Sequence, residues 1–321
     1  MKPDYKILAN NRDITQLIKD NFVSLSLNDN DGIKNDALTI KLNNENNHLK
    51  LPKKGVELTL HLGYENDLYP KGSFEIDEIK VSGHPDVLTI IAKGSRINKS
   101  LKIRRSHTYE NTTIGELVDT IAKRNNMVSK VSEFLRDIEI THLNQVSESD
   151  QNLLTRLKQN YDAEFKSISS TIVFYQKDDF KKIGGTNLKP IVIKKSDCLK
   201  YNISQTDSSK YESVIAKFRD LDVAVVKKVQ IGLGSPAFII KEVFASVDEA
   251  KQKASTKYND LLRSVVSAEL TCIGNAKIAG EHEIILKDFH SDIQTNFKCV
   301  SSSHTIDNNG YQTSFKIVNK K

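Results

Sequence analysis

Eight histidines are the first place to look for a metal ligand or a general base. His282 and His290 stand beside Glu283 and Asp288, a set that mixes imidazole and carboxylate donors. Metal sites bring such donors to one face through spacings such as HExxH or HxH, and neither occurs here. The pair reads instead as strand-end histidines facing solvent. His61 sits between Leu60 and Leu62 in an alternating run, so it faces away from the leucine side. His142 and His304 have no partner that spacing alone assigns.

Gly232-Leu233-Gly234-Ser235-Pro236 has the look of a phosphate cradle. A Walker loop ends in Gly-Lys-Ser/Thr, and a dinucleotide loop needs a third Gly that opens a helix. Both endings are missing, and Pro236 removes one of the backbone N–H donors a phosphate would need. The segment reads as a loop between strands. The acidic pairs Asp77-Glu78 and Asp178-Asp179 are adjacent in sequence. Neighbours along a strand point to opposite faces, so Asp77 and Glu78 cannot share one reacting atom. No Gly-x-Ser-x-Gly is present, and no Ser or Cys has a nearby His with a carboxylate. Catalytic, cofactor-binding and metal residues are therefore expected to be none, and the chain is not expected to be an enzyme. Cys198, Cys272 and Cys299 are odd in number and widely separated, which makes reduced structural thiols the expectation.

The elements that would carry any such residues are mostly strands. Phe22–Leu27, Ala37–Leu42, Val56–Leu62, Phe74–Val81 and Val87–Ala92 are short runs with period-two character. Gly63, Pro70, Gly72 and Gly83 punctuate them, which argues for a barrel or sandwich over a parallel α/β sheet. Thr113-Ile114-Gly115-Glu116 has capping-box spacing, followed by Leu117, Val118 and Ile121 on one helical face. Ser246-Val247-Asp248-Glu249 repeats the arrangement ahead of Ala250, Ala254, Tyr258 and Leu261. The stretch Gln145–Tyr161 reads as a third helix, capped by Ser147 or Ser149, with Glu148 and Asp150 at the positive end of its dipole. Leu153, Leu154 and Leu157 then share its apolar face, and Thr171–Tyr175 follows as a strand.

A polar, turn-rich stretch at Lys177–Lys189, with Gly184-Gly185, leads out of this region. Strands resume at Pro190–Ile193, Ser213–Arg219, Ser267–Ile273, Glu283–Leu286, Thr295–Ser301 and Tyr311–Val318. The fold class expected is α+β, mainly β, with two β-barrel (tube-type) modules flanking a mixed α/β insertion. The boundaries are 1–100 for the first module and 101–189 for the insertion. The second module is 190–321, with one helix near 247–262.

Composition agrees with a globular chain: of 321 residues, 38% are hydrophobic and 27% charged. The net charge of +6 is dispersed, and its tightest group, Lys99, Lys102, Arg104 and Arg105, is short. A nucleic-acid surface usually carries a denser basic stripe interleaved with stacking aromatics. MKPDYKIL lacks the apolar core of a signal peptide, and no run reaches the ~20 apolar residues of a membrane helix. Synthesis and folding in a cytoplasm, without stable membrane binding, are expected.

The order of several blocks is more informative than any of them alone. Gln145-x-x-Glu148-Ser149-Asp150, followed by Leu154-x-Arg156-Leu157, resembles a signature of the phage late control gene D proteins. These are tail hub proteins related to the amino-terminal part of VgrG. Asn35-Asp36-Ala37-Leu38 is similar to an early strand of that family, and Pro52–Gly55 with Leu62-Gly63-Tyr64 is similar to the next block. Gly72-x-Phe74-x-Ile76-Asp77-Glu78-Ile79, Gly280, Glu283–Leu286 and Gly310-Tyr311-Gln312-Thr313 continue the series in order. The chain departs from the pattern at Asp162, where the family has Gly in a Tyr-Gly-Ala turn; Asp tolerates the left-handed region better than most residues.

The resemblance implies a structural hub of a contractile tail or related injection machine. It would be a homotrimer joining a hexameric tail tube protein to a trimeric spike protein and lining part of a central channel. No needle or lysozyme segment follows Lys321, so the spike would be a separate partner. Tape measure and baseplate wedge proteins are further implied partners, and DNA or an effector would meet the chain only in transit. No cofactor is implied. The place implied is a virion or injection particle assembled in the bacterial host cytoplasm. The alternatives are a VgrG-like hub of a toxin-delivery or secretion particle, then a peptidoglycan hydrolase or a nucleic-acid-binding protein.

Overall fold

The computed structural model describes residues 2–30, 36–94, 99–168, 171–177, 189–205, 211–220, 225–263, 266–293 and 296–319. Asn35, Asp178-Asp179 and Gly184-Gly185 lie outside them. In chain order the first elements are β1 (Pro3–Ala9), β2 (Arg12–Asp13), α1 (Thr15–Asp20), β3 (Phe22–Asn30) and β4 (Ala37–Asn43). Then come β5 (Glu57–Tyr64), β6 (Asp67–Ser82) and β7 (Val87–Gly94). The middle holds β8 (Arg104–Thr113), α2 (Ile114–Arg124), β9 (Val128–Val131), α3 (Glu133–Arg136), β10 (Glu139–Ser149) and α4 (Asp150–Asn160). After it come β11 (Ala163–Ile168), β12 (Thr171–Gln176), β13 (Ile191–Lys194), β14 (Cys198–Gln205) and β15 (Ser213–Asp220). The chain continues with β16 (Val225–Gly232), β17 (Ala237–Phe244), α5 (Val247–Arg263) and β18 (Val266–Ile273). It closes with β19 (Glu283–Lys287), β20 (Asn296–Asp307) and β21 (Gly310–Asn319). The chain is α+β and mainly β.

Two compact units share these elements. The first comprises residues 1–97, 188–202 and 268–317, and the second 98–187, 203–267 and 318–321. The late excursion 203–267 thus groups with 98–187, and the late strands group with the first hundred residues. In the first unit one continuous sheet runs β14-β18-β21-β20-β3-β4-β7-β6-β5-β1-β2, with β13 and β19 joined to it through β20. The early and late segments meet where β20 pairs antiparallel with β3, Ser301 opposite Asn30 and Ile306 opposite Leu25.

Period-two patterning explains the core of this unit. Leu25 and Leu27, Leu38 and Ile40, and Leu58, Leu60 and Leu62 alternate onto one face and are almost wholly buried. Each such side chain contributes about 1.5–3 kcal/mol on burial, so a one-residue register slip would forfeit the whole set. The hairpin from β5 to β6 explains Gly63: a Cβ there would stand 2.1 Å from the Asp67 carbonyl oxygen. Gly72 has φ of +104° at the register shift in β6, a conformation that favours glycine.

The second unit contains smaller sheets, β10-β8, β11-β12-β9 and β16-β15-β17. Helix α2 begins with the expected capping box between Thr113 and Glu116 and buries Ile114, Leu117, Val118 and Ile121. For α5, the Glu249 N–H donates to Ser246 Oγ, while the Glu249 carboxylate reaches back to the Ala245 N–H. The Gln145–Tyr161 stretch is only partly helical. Gln145–Ser149 is the end of β10, paired with β8, with an irregularity between Gln145 and Glu148; the helix starts at Asp150. Pairing with a strand some forty positions earlier overrides the local helical spacing there.

Candidate functional site: buried ion-pair clusters

Ser149 is the cap of α4, its hydroxyl accepting from the Asn152 N–H at 3.2 Å. Ser147 sits in the irregular step of β10 with φ of +46° and does not cap the helix. The residue after the cap, Asp150, is fully buried. Arg124 of α2 donates through Nε to Asp150 Oδ2 at 2.9 Å and through Nη2 to Oδ1. The same guanidinium donates to Gln145 Oε1 at 3.0 Å, and Gln145 Nε2 returns a bond to Asp150 Oδ1 at 2.8 Å. Asn125 Nδ2 adds a bond to Oδ2 at 2.8 Å, and Arg105 lies 3.7 Å away. Glu148 is held by Arg156, which also bonds the Asn144 carbonyl at 2.8 Å.

The family-like string Gln145-x-x-Glu148-Ser149-Asp150…Arg156 is therefore a fastening. It fixes the end of β10, the start of α4 and the end of α2 to one another. A carboxylate buried this way is tolerable only when its lone pairs are all taken, as they are here. With its oxygens occupied by Arg124, Gln145 and Asn125, Asp150 has no capacity left for acid–base work.

A second clamp surrounds Asp162, in the turn after α4. Its φ is +50°, the left-handed conformation expected from the sequence. Arg263 of α5 grips the carboxylate with both terminal nitrogens, at 2.6 and 2.9 Å, and Asn259 adds a bond at 2.8 Å. Burial pushes the Asp162 carboxyl up, but the Arg263 and Asn259 bonds and the guanidinium charge outweigh it, leaving the pKa below the ordinary 3.8. Thr256 bonds the Asn160 carbonyl at 3.1 Å beside it. Nothing local announces this clamp, because its two halves are a hundred residues apart.

In the first unit, a buried cluster around His304 resembles catalytic machinery. His304 is fully buried, with Nδ1 at 2.9 Å from the Tyr311 hydroxyl and 3.2 Å from Thr313 Oγ1. Lys71 Nζ stands 3.0 Å from His304 Nε2 and donates to the Ile278 carbonyl at 3.2 Å. Burial depresses the Lys71 ammonium to about 8. Burial and the Lys71 charge push His304 down to about 3. Nε2 also lies 2.9 Å from the Ile278 carbonyl, the same oxygen that Lys71 reaches, and Nδ1 faces the two hydroxyls. The ring has no solvent-facing edge, so the cluster ties β6, β20 and β21 together and admits no substrate.

The remaining candidates are scattered. His290 is exposed, 3.6 Å from Asp292, whereas His282 is half-buried and its pKa is lowered, chiefly by burial. The solvent-facing reading thus holds for His290 and is corrected for His282. His142 is exposed beside Glu110 at 3.6 Å. Asp77 pairs with Lys93 across the sheet, while Glu78 pairs with Lys80 along its own strand. Gly232–Pro236 joins β16 to β17. Of the basic group, Lys102 and Arg104 are exposed and Arg105 turns toward Asp150. Among the described residues, no three His, Cys, Asp or Glu side chains are placed to hold one metal ion.

No family model matches the sequence. The chain is 27% identical to a probable baseplate hub protein of Escherichia phage 186, across 99% of this chain and 93% of that protein. The same values hold for the probable baseplate hub protein of Escherichia phage P2. Among solved structures the fold is similar to the 43 kDa tail protein of prophage MuSo2 from Shewanella oneidensis. That match has a TM-score of 0.74 and 13% identity, over 99% of this chain and 98% of that one. The fold also resembles the E. coli c3393 protein, a component of the type VI secretion system. There the TM-score is 0.58 at 11% identity, over 94% of this chain and 74% of that one.

Proposed function

We propose that this chain, similar along nearly its whole length to the baseplate hub proteins of phages 186 and P2, is itself the structural hub of a phage tail or related injection machine. The observation that carries the reading is end-to-end likeness: 27% identity over 99% of this chain and 93% of the relative. A shared module alone would align over only part of one chain. The fold adds support, since early and late strands join in one sheet through β20 and β3.

In this reading residues 1–100 and 190–321 supply two tube-type modules, 101–189 is an insertion, and 203–267 is a further excursion from the second module. Three copies would present six such modules. A threefold ring can thereby match a hexameric tube on one side and a trimeric spike on the other. The hub does no chemistry of its own. Asp150, Glu148 and Asp162 are held by Arg124, Arg156 and Arg263, and His304 is walled in. The particle would assemble in the host cytoplasm, with tape measure and wedge proteins as further neighbours and DNA or effector passing through.

Light scattering on the chain co-expressed with the spike-like product of its neighbouring gene tests this. A complex of three copies each is the expected mass; a 36.2 kDa monomer that ignores the spike overturns the reading. A secretion-particle hub shares the same fold, and neighbouring genes separate the two: capsid and terminase for a phage, toxin cargo and an ATPase for a delivery particle. Clearing of peptidoglycan by the isolated chain would bring the hydrolase reading forward. Tight, salt-sensitive DNA retention would do the same for nucleic-acid binding.

A further inference from the structure

Cys198 opens β14, and Cys272 lies near the end of β18, the strand beside it at the edge of the large sheet. Both are free thiols, and their sulfurs are 3.0 Å apart although 74 positions separate them in sequence. That separation is nearly all excursion. The chain leaves the first unit after Asn202 and rejoins it at Ala268, so the pair sits on the outgoing and returning strands. With sulfurs 3.0 Å apart on neighbouring strands, the two side chains face each other as a disulfide requires. The two thiols are unequal: Cys198 is partly exposed and Cys272 is buried.

We propose that Cys198 and Cys272 are an oxidisable pair that closes to an intrachain disulfide, stapling the two strands between which residues 203–267 loop out. The oxidant is a small-molecule disulfide of the glutathione type. The Cys198 thiolate attacks one sulfur of that molecule, and the first glutathione leaves with the bonding electrons and takes up a proton. Cys272 then loses its proton and attacks Cys198 Sγ, expelling the second glutathione thiolate. Two protein thiols are oxidised and one external disulfide is reduced to two thiols.

The order of attack follows from the site. The hydrogen bond with Cys272 holds the Cys198 thiol below its ordinary value; that bond and burial raise Cys272. Cys198 is partly exposed, so an oxidant reaches its sulfur directly, and a cleft of about 510 Å³ lined by Cys272, Asp197, Ile193 and Gly274 lies beside the pair. The third thiol, Cys299, is buried and donates to the Ser301 carbonyl at 3.4 Å, which makes it the internal control. The chemistry is independent of the hub reading. A released virion tail would merely place the pair in an oxidising medium.

The test uses the reduced full-length chain, freed of reductant and treated with oxidised glutathione, then denatured in N-ethylmaleimide. Intact mass and peptide mapping should show maleimide labels falling from three to one, the survivor on Cys299, with a linked Cys198–Cys272 peptide. Thermal unfolding should shift upward and return on adding dithiothreitol. Cys299→Ser should behave like the natural chain, and Cys272→Ser should stop with glutathione on Cys198. Three labels after oxidation, a glutathione adduct that never resolves in the natural chain, or a cross-link between chains would each overturn the proposal.

Discussion

Asp162 shows how one residue carries two constraints. Its backbone takes a left-handed conformation that glycine adopts without penalty, and its carboxylate fastens α5 through Arg263 and Asn259. Removing Arg263 leaves a buried carboxylate without its cation, at a cost of about 3–5 kcal/mol. Arg263→Met should therefore unfold at clearly lower denaturant. In an Asp162→Gly background the same change should cost far less, because the uncompensated charge is gone; a double-mutant cycle in urea measures the difference. The folded pKa of Asp162 lies below 3.8, so its stabilisation is present above that value and lost as pH falls through the folded pKa.

His304 adds a second acid-sensitive group. It stays neutral in the fold down to about pH 3 and titrates near 6.5 when unfolded. The unfolded chain binds the extra proton in that window, so stability falls as pH drops through it. His304→Gln should flatten the urea-midpoint profile between pH 6.5 and 3. Lys71 has the same signature at higher pH: between about 8 and 10.5 the unfolded chain holds more protons, and stability climbs with pH. A profile unchanged by His304→Gln would remove this account.

At the scale of elements, starts were readable and partners were not. The capping boxes at Thr113 and Ser246 are local patterns, and both helices begin there. Ser149→Ala should cost about 1 kcal/mol by removing the cap of α4, while Ser147→Ala should leave that helix start intact. Equal losses from the two in a chemical melt would contradict the assigned cap. Gly63→Ala should be worse than either, because the hairpin leaves only 2.1 Å between a Cβ and the Asp67 carbonyl oxygen. Gln145–Ser149 has helical spacing yet is strand, because its strand character comes from pairing with β8. Strand β14 carries no apolar alternation in the sequence, because its side chains are mostly exposed.

The whole molecule depends on a chain that leaves its sheet and returns. Because β14 and β18 are neighbours, the exit and re-entry points lie on adjacent strands. Replacing residues 206–265 with a short turn should therefore leave the large sheet folded and still able to meet a spike-like partner. Loss of β circular dichroism or aggregation of that variant would show that the excursion is needed to fold the sheet. Loss of Arg263 in the same deletion strands Asp162, so the second unit of the variant should be the less stable one.

Sequence by itself determined the mainly β class, the leucine-faced strands, the helix caps and the ordered blocks that point to a tail hub. These are local or short-period signals, set by backbone sterics and by the alternation of side chains along a strand. Tertiary structure alone decided that residues 203–267 join 98–187, that Arg263 answers Asp162, that His304 is buried against Lys71, and that Cys198 meets Cys272. The three pairs are 74, 101 and 233 positions apart in sequence. No periodicity encodes such a meeting; it follows only once the strands have found their register and the sheet has closed the distance.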